Sequence, residues 1–316
     1  KDIGIPTFIG SSKRVFPEKG IKPIEVLNAI VDVLSKRGVK IQHEHTWTGW
    51  NEDDNLIFNG ETEVKSDYTV FVMGGGSWKV TGSDGSWLDI FKNHGLDVSP
   101  FQPSNCGYKI DWPNKFISKH EGNPLKNIAA SSLDKSQKGE VVITKSGLEG
   151  NAIYALSPQI REGLNGKKTA SLFLDLKPVF TADELLQKIK KSTLKNTTDI
   201  LRVVLNLSPA QIGLLKAYTS KETFLSSELL VSSIKKLEIE IIGSVEVDEA
   251  ISTTGGLSLK AIDKSFKMKK LKDTYCIGEM LDWDAPTGGY LLQACFSMGV
   301  QLAGHLNRKR IKPEGS

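Results

Sequence analysis

The sequence predicts an α/β fold that carries α+β inserts, and three stretches predict it. Asp67-Tyr68-Thr69-Val70-Phe71-Val72-Met73 is an apolar run of strand length that ends in three glycines, Gly74-Gly75-Gly76. Residues 274–277 form a second short apolar run. Gly278 and Glu279 end it, and a polar loop leads to Pro286-Thr287-Gly288-Gly289. There an apolar helix opens through Leu291, Leu292, Ala294, Phe296, Val300, Leu302 and Ala303. Between these pieces, from Val98 to about Ala250, the texture changes to short β-like runs and then to helical stripes. A strand that ends in glycines suits an open α/β sheet, whose crevice beyond the strand carboxyl ends receives ligands.

Taken in order, Ile24, Leu27, Ile30, Val31 and Leu34 recur at helical spacing and predict a helix over residues 23–36. Residues 39–41 read as a strand, and 68–73 as a buried one. Asp84 is placed to cap a helix over 85–92. Residues 106–110, 141–144 and 170–174 are β-like runs separated by Pro, Gly and Asn. A helix is expected over 151–161, where Ile153, Leu156 and Ile160 share a face. Gly163 then falls in a surface turn. Apolar stripes predict further helices over 183–190, 199–205, 209–218 and 224–236, stripes that usually serve a core. Residues 238–243 return as a strand in which Ile239 and Ile241 alternate with Glu238 and Glu240. The domain reading is 1–97 and 250–314 as two parts of one α/β unit, 98–181 with 238–249 as a β-rich insert, and 182–237 as a helical subdomain.

The chain has 316 residues, 41 Lys and Arg against 37 Asp and Glu, and a formal net charge of +4. The positive excess is spread over lysine-rich helices, which read as solvated faces, so no nucleic-acid partner is expected. No apolar run approaches the length of a membrane span, so no membrane association is expected. Cys106, Cys276 and Cys295 are an odd number without CxxC spacing, which argues against a disulfide framework or zinc site and for the cytoplasm. The five histidines lack metal-ligand spacing, and no metal is expected. There is no Gly-x-Ser-x-Gly elbow and no P-loop. Asn105-Cys106 opens the insert and is a candidate for chemistry, although a lone Cys is more often a small buried hydrophobe. Pro286 to Gly289 would present free backbone N–H groups and about half a positive charge at a helix start.

The stretch Gly278-Glu279-Met280-Leu281-Asp282 with Thr287-Gly288-Gly289-Tyr290 resembles bacterial FAD-dependent flavoproteins of the aminoacetone-oxidase-like and bile-acid-reductase-like kind. The resemblance runs through Gly10-Ser11-Ser12-Lys13-Arg14-Val15-Phe16-Pro17, where the family usually has Gly in place of Lys13. It continues through Gly74-Gly75-Gly76-Ser77-Trp78, Thr81-Gly82-Ser83-Asp84-Gly85, Pro103-Ser104-Asn105-Cys106-Gly107, Gly122-Asn123-Pro124-Leu125-Lys126 and residues 250–256. The motifs fall in family order over nearly the whole chain. One part is missing: no Gly-x-Gly-x-x-Gly is present, the element that in the family holds the ADP half of FAD on a helix N-terminus. The expectation is therefore an incomplete Rossmann-like FAD domain with a truncated N-terminus, lacking at least one βαβ unit of roughly 30 residues, and with weak or no FAD affinity of its own.

The resemblance implies an FAD-dependent oxidoreductase that passes a hydride between a small organic substrate and flavin, with NAD(P)H or oxygen as electron partner. The opposing reading is a cofactor-free fragment or non-catalytic binding protein. On the first reading Glu279 and Asp282 bond ribitol or ribose hydroxyls, and Gly278 ends the strand beside them. Thr287, Gly288, Gly289, Tyr290 and Leu291 set backbone N–H groups beside the flavin pyrimidine ring. Gly74, Gly75, Gly76 and Ser77 approach the cofactor from the neighbouring strand. Arg14 either faces phosphate or flavin or is a surface arginine.

Overall fold

The computed structural model describes residues 3–10 and 13–311. The chain divides into two compact units, residues 1–67 and 68–316.

In the first unit β1 (Thr7–Ile9) and β2 (Val15–Pro17) form an antiparallel hairpin, with the Phe8 and Phe16 rings stacked at 5.7 Å. Lys13 takes φ +60° in the connection. That is the left-handed region, and it explains why glycine is the usual residue there in the resembling family. Ser11 and Ser12 lie outside the described residues. Helix α1 (Pro23–Lys36) has the expected bounds, with Pro23 at its first turn, where a missing N–H costs nothing. The expected strand at 39–41 is absent. Val39 and Ile41 are half-exposed and find no partner strand, and without a partner a short extended run has no ladder. A meander of β3 (Trp47–Trp50), β4 (Leu56–Phe58) and β5 (Thr62–Val64) follows, pinned by an edge-to-face pair of Trp47 and Trp50.

The second unit begins with β6 (Thr69–Phe71). This strand pairs in parallel with a strand more than two hundred residues further on, register Thr69 to Thr274 and Phe71 to Cys276. Helix α2 (Trp87–Asn93) starts two residues later than expected, because Asp84 accepts the Ser86 N–H at 2.9 Å and makes an Asx turn ahead of the helix. Trp87 and Phe91 are buried and meet Phe71 and Phe101 edge to face. Then comes β7 (Val98–Ser104).

The next stretch builds one seven-stranded antiparallel sheet. It uses β8 (Tyr108–Lys109), β9 (Pro124–Ser132), β10 (Lys135–Thr144), β11 (Gly147–Glu149) and β12 (Ala170–Asp175), with α3 (Asn114–His120), α4 (Asn151–Tyr154) and α5 (Ser157–Lys167) between them. The expected helix over 151–161 is thus two helices, broken at Ala155-Leu156. Gly163 lies inside α5, where an added Cβ would meet that of Ala170 at 2.8 Å, so it is a close-packing position and no surface turn. Helices α6 (Ala182–Lys190), α7 (Thr197–Asp199), α8 (Pro209–Tyr218), α9 (Lys221–Leu225) and α10 (Ser227–Lys235) follow. Thr181, Ser208, Ser220 and Ser226 cap α6, α8, α9 and α10 through their hydroxyls. Ser226 also stops α9, which splits the single helix expected over 224–236.

Strands β13 (Leu237–Ile241) and β14 (Gly243–Ser244) close the sheet. Its order is β13-β12-β9-β10-β11-β8-β14. The two edge strands are consecutive in the chain and separated only by Ile242, whose N–H bonds the Lys109 carbonyl at 2.9 Å. The sheet therefore curls back on itself and leaves little free edge. Its interior holds the main core, including Tyr108, Leu125, Ile128, Ile143, Leu172 and Ile239. The chain leaves by β15 (Ser252–Leu257), antiparallel to β7, and β16 (Thr274–Cys276), the partner of β6. It ends in α11 (Tyr290–Ile311).

Candidate functional site

The second unit gathers its polar loops where β6, β15 and β16 end. Gly74-Gly75-Gly76 leaves β6, and these residues are held by side chains from elsewhere. The Trp87 indole donates to the Gly74 carbonyl at 3.2 Å, the Ser83 hydroxyl to the Gly75 carbonyl at 3.3 Å, and the Gly76 N–H to Thr253 Oγ1 at 3.2 Å. A Cβ on Gly75 would overlap Thr253 Oγ1 and lie 3.1 Å from Glu279 Oε1; one on Gly76 would lie 2.8 Å from the Phe101 ring. Gly75 and Gly76 are thus required by packing, and Gly74 by its φ of +74°. Ser77 is buried beside it.

Glu279 follows β16 in a single 3₁₀ turn, Gly278–Met280. Burial pushes its carboxyl above the ordinary carboxylate range, and a backbone hydrogen bond at Thr253 opposes the shift. Gly278 takes φ +87°, its N–H points to Met298 Sδ at 3.4 Å, and its carbonyl accepts the Trp283 indole at 2.9 Å. Cys295 Sγ is near the same glycine, and its thiol is raised by burial and by the Glu279 charge. Met298 and Cys295 lie in α11, so this helix is seated against the end of the parallel strand pair.

Asp282 is occupied within the fold. Its carboxylate accepts the Ser99 hydroxyl at 2.7 Å and the Gly255 N–H at 3.2 Å, tying β7 to β15. Gly255 and Gly256 have φ of +96° and +113°, and a Cβ at either would strike the backbone of Pro100 or Met280. Two residues on, Asp284 accepts Ser104 Oγ at 2.7 Å and Arg161 Nη2 at 2.8 Å. Arg161 Nη1 reaches the Pro103 carbonyl at 3.3 Å. Asn105, buried at φ +50°, donates to Ser252 Oγ and to the Ala285 carbonyl. Beside it Cys106 is 2% exposed and its thiol is pushed up to about 11 by burial, so it is a neutral packing group. Asp284 and Arg161 escaped the sequence reading. The signal was the i,i+2 pair of acids, Asp282 and Asp284, since i and i+2 point alike from extended chain.

Thr287 and Gly288 are half-buried, and Gly289 and Tyr290 are exposed. Gly288 and Gly289 take φ of +109° and +87°, and the space a Gly289 Cβ would enter is empty. The Gln293 N–H reaches the Gly289 carbonyl at 3.0 Å, so Leu291 and Leu292 precede the intrahelical ladder of α11. Arg14 is an exposed residue of the first unit, and all the other candidates belong to the second. Among the described residues no His, Cys, Asp and Glu cluster could hold a metal, and no helix is long and apolar enough to cross a membrane.

A parallel strand pair with glycines at its ends and a long helix seated on Gly278 is a Rossmann-like arrangement. The chain belongs to the HI0933-like protein Rossmann domain family, which it matches over residues 1–305. It is 25% identical over 260 residues to the 3-dehydro-bile acid delta(4,6)-reductase of Clostridium scindens, covering 78% of this chain and 63% of that protein. It is 22% identical over 261 residues to the ribosomal RNA dihydrouridine synthase of Haemophilus influenzae, covering 78% of this chain and 62% of that protein. The chain thus spans a little over three fifths of the length of these two curated relatives.

Proposed function

We propose that the chain carries part of the site of an FAD-dependent oxidoreductase acting on a small organic substrate in the cytoplasm, with a nicotinamide nucleotide as electron donor. The observation that carries the reading is α11. A 22-residue helix opens on Gly288-Gly289 and is seated through Met298 and Cys295 on the end of a parallel strand pair. Its first N–H groups and its positive end suit a group that gains negative charge. The open space at Gly289 suits a flat ring lying against backbone.

The bound flavin would supply hydride transfer. This chain's residues would hold and tune it. Residues 287–291 would donate backbone N–H groups. Gly75 and Gly76, immobilised by Thr253 and Phe101, would keep the strand end thin enough for close approach. Glu279, whose raised carboxyl is a donor over a wider pH range than an ordinary glutamate, would bond a cofactor hydroxyl. Asp282 and Asp284 would act indirectly by fixing β7, β15 and the loop into α11. The relatives' printed activities, a reductase and a dihydrouridine synthase, fit a flavoprotein-type domain.

The test is anaerobic mixing of the chain with FAD and NADH or NADPH, followed at the visible flavin band. Reduction faster than that of free FAD is expected. The rate of free FAD alone, at FAD concentrations that saturate the chain, would overturn the reading.

A further inference from the structure

One cavity of the second unit lies far along the chain from the strand ends described above. It is a cleft of about 570 Å³ between α3, α8 and the segment Thr198 to Arg202. That volume falls within the range of small-molecule sites. Its floor is apolar: Phe116 and Ile212 are buried, with Pro113, Pro209 and Ala217 beside them. Its rim carries four cations, Lys115, Lys119, Arg202 and Lys216. Asp199 is the acid paired there, to Arg202 at 2.5 Å. Lys216 Nζ stands 5.5 Å from the Phe224 ring centroid, and among the described residues no carboxylate is ion-paired to it.

The local backbone is shaped to make this cleft. Lys115 and Lys119 are i,i+4 on α3, as are Phe116 and His120, so one helix edge is charged and the next apolar. On α8, Pro209, Ile212, Gly213, Lys216 and Ala217 form a stripe at helical spacing. Gly213 is the crossing point: an added Cβ would lie 2.5 Å from His120 Nε2. Arg202 sits in a π-helical turn, Ile200–Val204, in which the Leu205 N–H reaches the Ile200 carbonyl at 3.1 Å. Such turns widen a helix locally and recur at functional sites. Burial, and then the neighbouring Lys119 charge, lowers the His120 pKa.

We propose that this cleft binds an amphipathic organic anion, an acyl chain or ring body ending in a carboxylate, with the body on Phe116 and Ile212 and the head among Lys115, Lys119, Lys216 and Arg202. An apolar floor alone would take neutral molecules, and exposed lysines alone would take any polyanion. The juxtaposition selects for both ends of one ligand.

Decanoate is the probe, decanol its neutral counterpart, and isothermal titration the measurement on the whole chain. One site for decanoate is expected, with decanol at least tenfold weaker. Lys119→Glu with Lys216→Glu, both exposed and outside the core, should weaken decanoate at least tenfold with the thermal transition unchanged. His120 ring resonances should shift on binding, and the His120 pKa should rise, because the anion offsets the neighbouring Lys119 charge. These readouts need no flavin and stand or fall independently of the proposed oxidoreductase role. Equal affinity for decanol, unchanged affinity in the double variant, or no decanoate binding would overturn the proposal. So would a single-stranded oligonucleotide that binds in place of decanoate and is lost in the same variant, since the rim would then be a nucleic-acid surface.

Discussion

Glu279 joins the sequence to the site most directly. Its carboxyl is raised by burial, so ionising it costs the folded chain more than the unfolded one. The unfolded state releases this proton first, so stability falls as pH rises through the ordinary value of 4.5 and stops falling above the folded value. Glu279→Gln should therefore stabilise the chain at neutral pH and make no difference below pH 4.5, as denaturant midpoints across pH would show. At Gly75 a Cβ would overlap Thr253, and Gly75→Ala should cost about 1–3 kcal/mol. A thermal melt checks it; an unchanged midpoint would mean the loop is not held as described. Glycines were legible as residues, but their reasons were not. Gly75 and Gly76 were read for cofactor approach, and the structure shows each also pressed against a side chain distant in sequence.

At the scale of elements, Arg161 and Asp284 lie 123 positions apart and join α5 to the loop before α11. With side chains only 17% and 22% exposed, the pair is shielded from solvent. Arg161→Ala would leave Asp284 with Ser104 alone. The loss should be about 2 kcal/mol, or roughly 5 °C in melting midpoint for a unit of this size. Asp284→Asn with Arg161 intact should cost less, because the single amide oxygen still accepts from Arg161 while the amide NH2 turns to donate to the Ser104 hydroxyl. Equal midpoints for wild type and Arg161→Ala would show the pair to be ornamental. No sequence pattern marks this pairing, because nothing local ties residue 161 to residue 284. Helices with a strong stripe and a proline start, α1 and α8, were legible to the residue. The break at Ala155-Leu156 did carry a signal, Pro158 in the first turn of α5, whereas the break at Ser226 is marked only by the serine that caps α10. The strand expected at 39–41 had the right composition and lacked a partner.

For the whole molecule, the two short apolar runs with glycine-rich ends were legible in the sequence, and their parallel pairing as β6 and β16 is what makes the second unit Rossmann-like. The curled seven-stranded sheet was legible only as β-rich texture, since its closure depends on β13 and β14 reaching opposite edges. The central claim is that the turn at Gly288-Gly289 receives the flavin ring. The most direct test is titration of the chain with FAD, followed by flavin fluorescence, in wild type, Gly289→Val and Gly122→Val. Both glycines have positive φ, +87° and +78°, and open space at Cβ, so both variants carry similar backbone strain. The account predicts saturable single-site binding, however weak, that Gly289→Val reduces at least tenfold and Gly122→Val leaves within twofold. Equal effects of the two substitutions would contradict it.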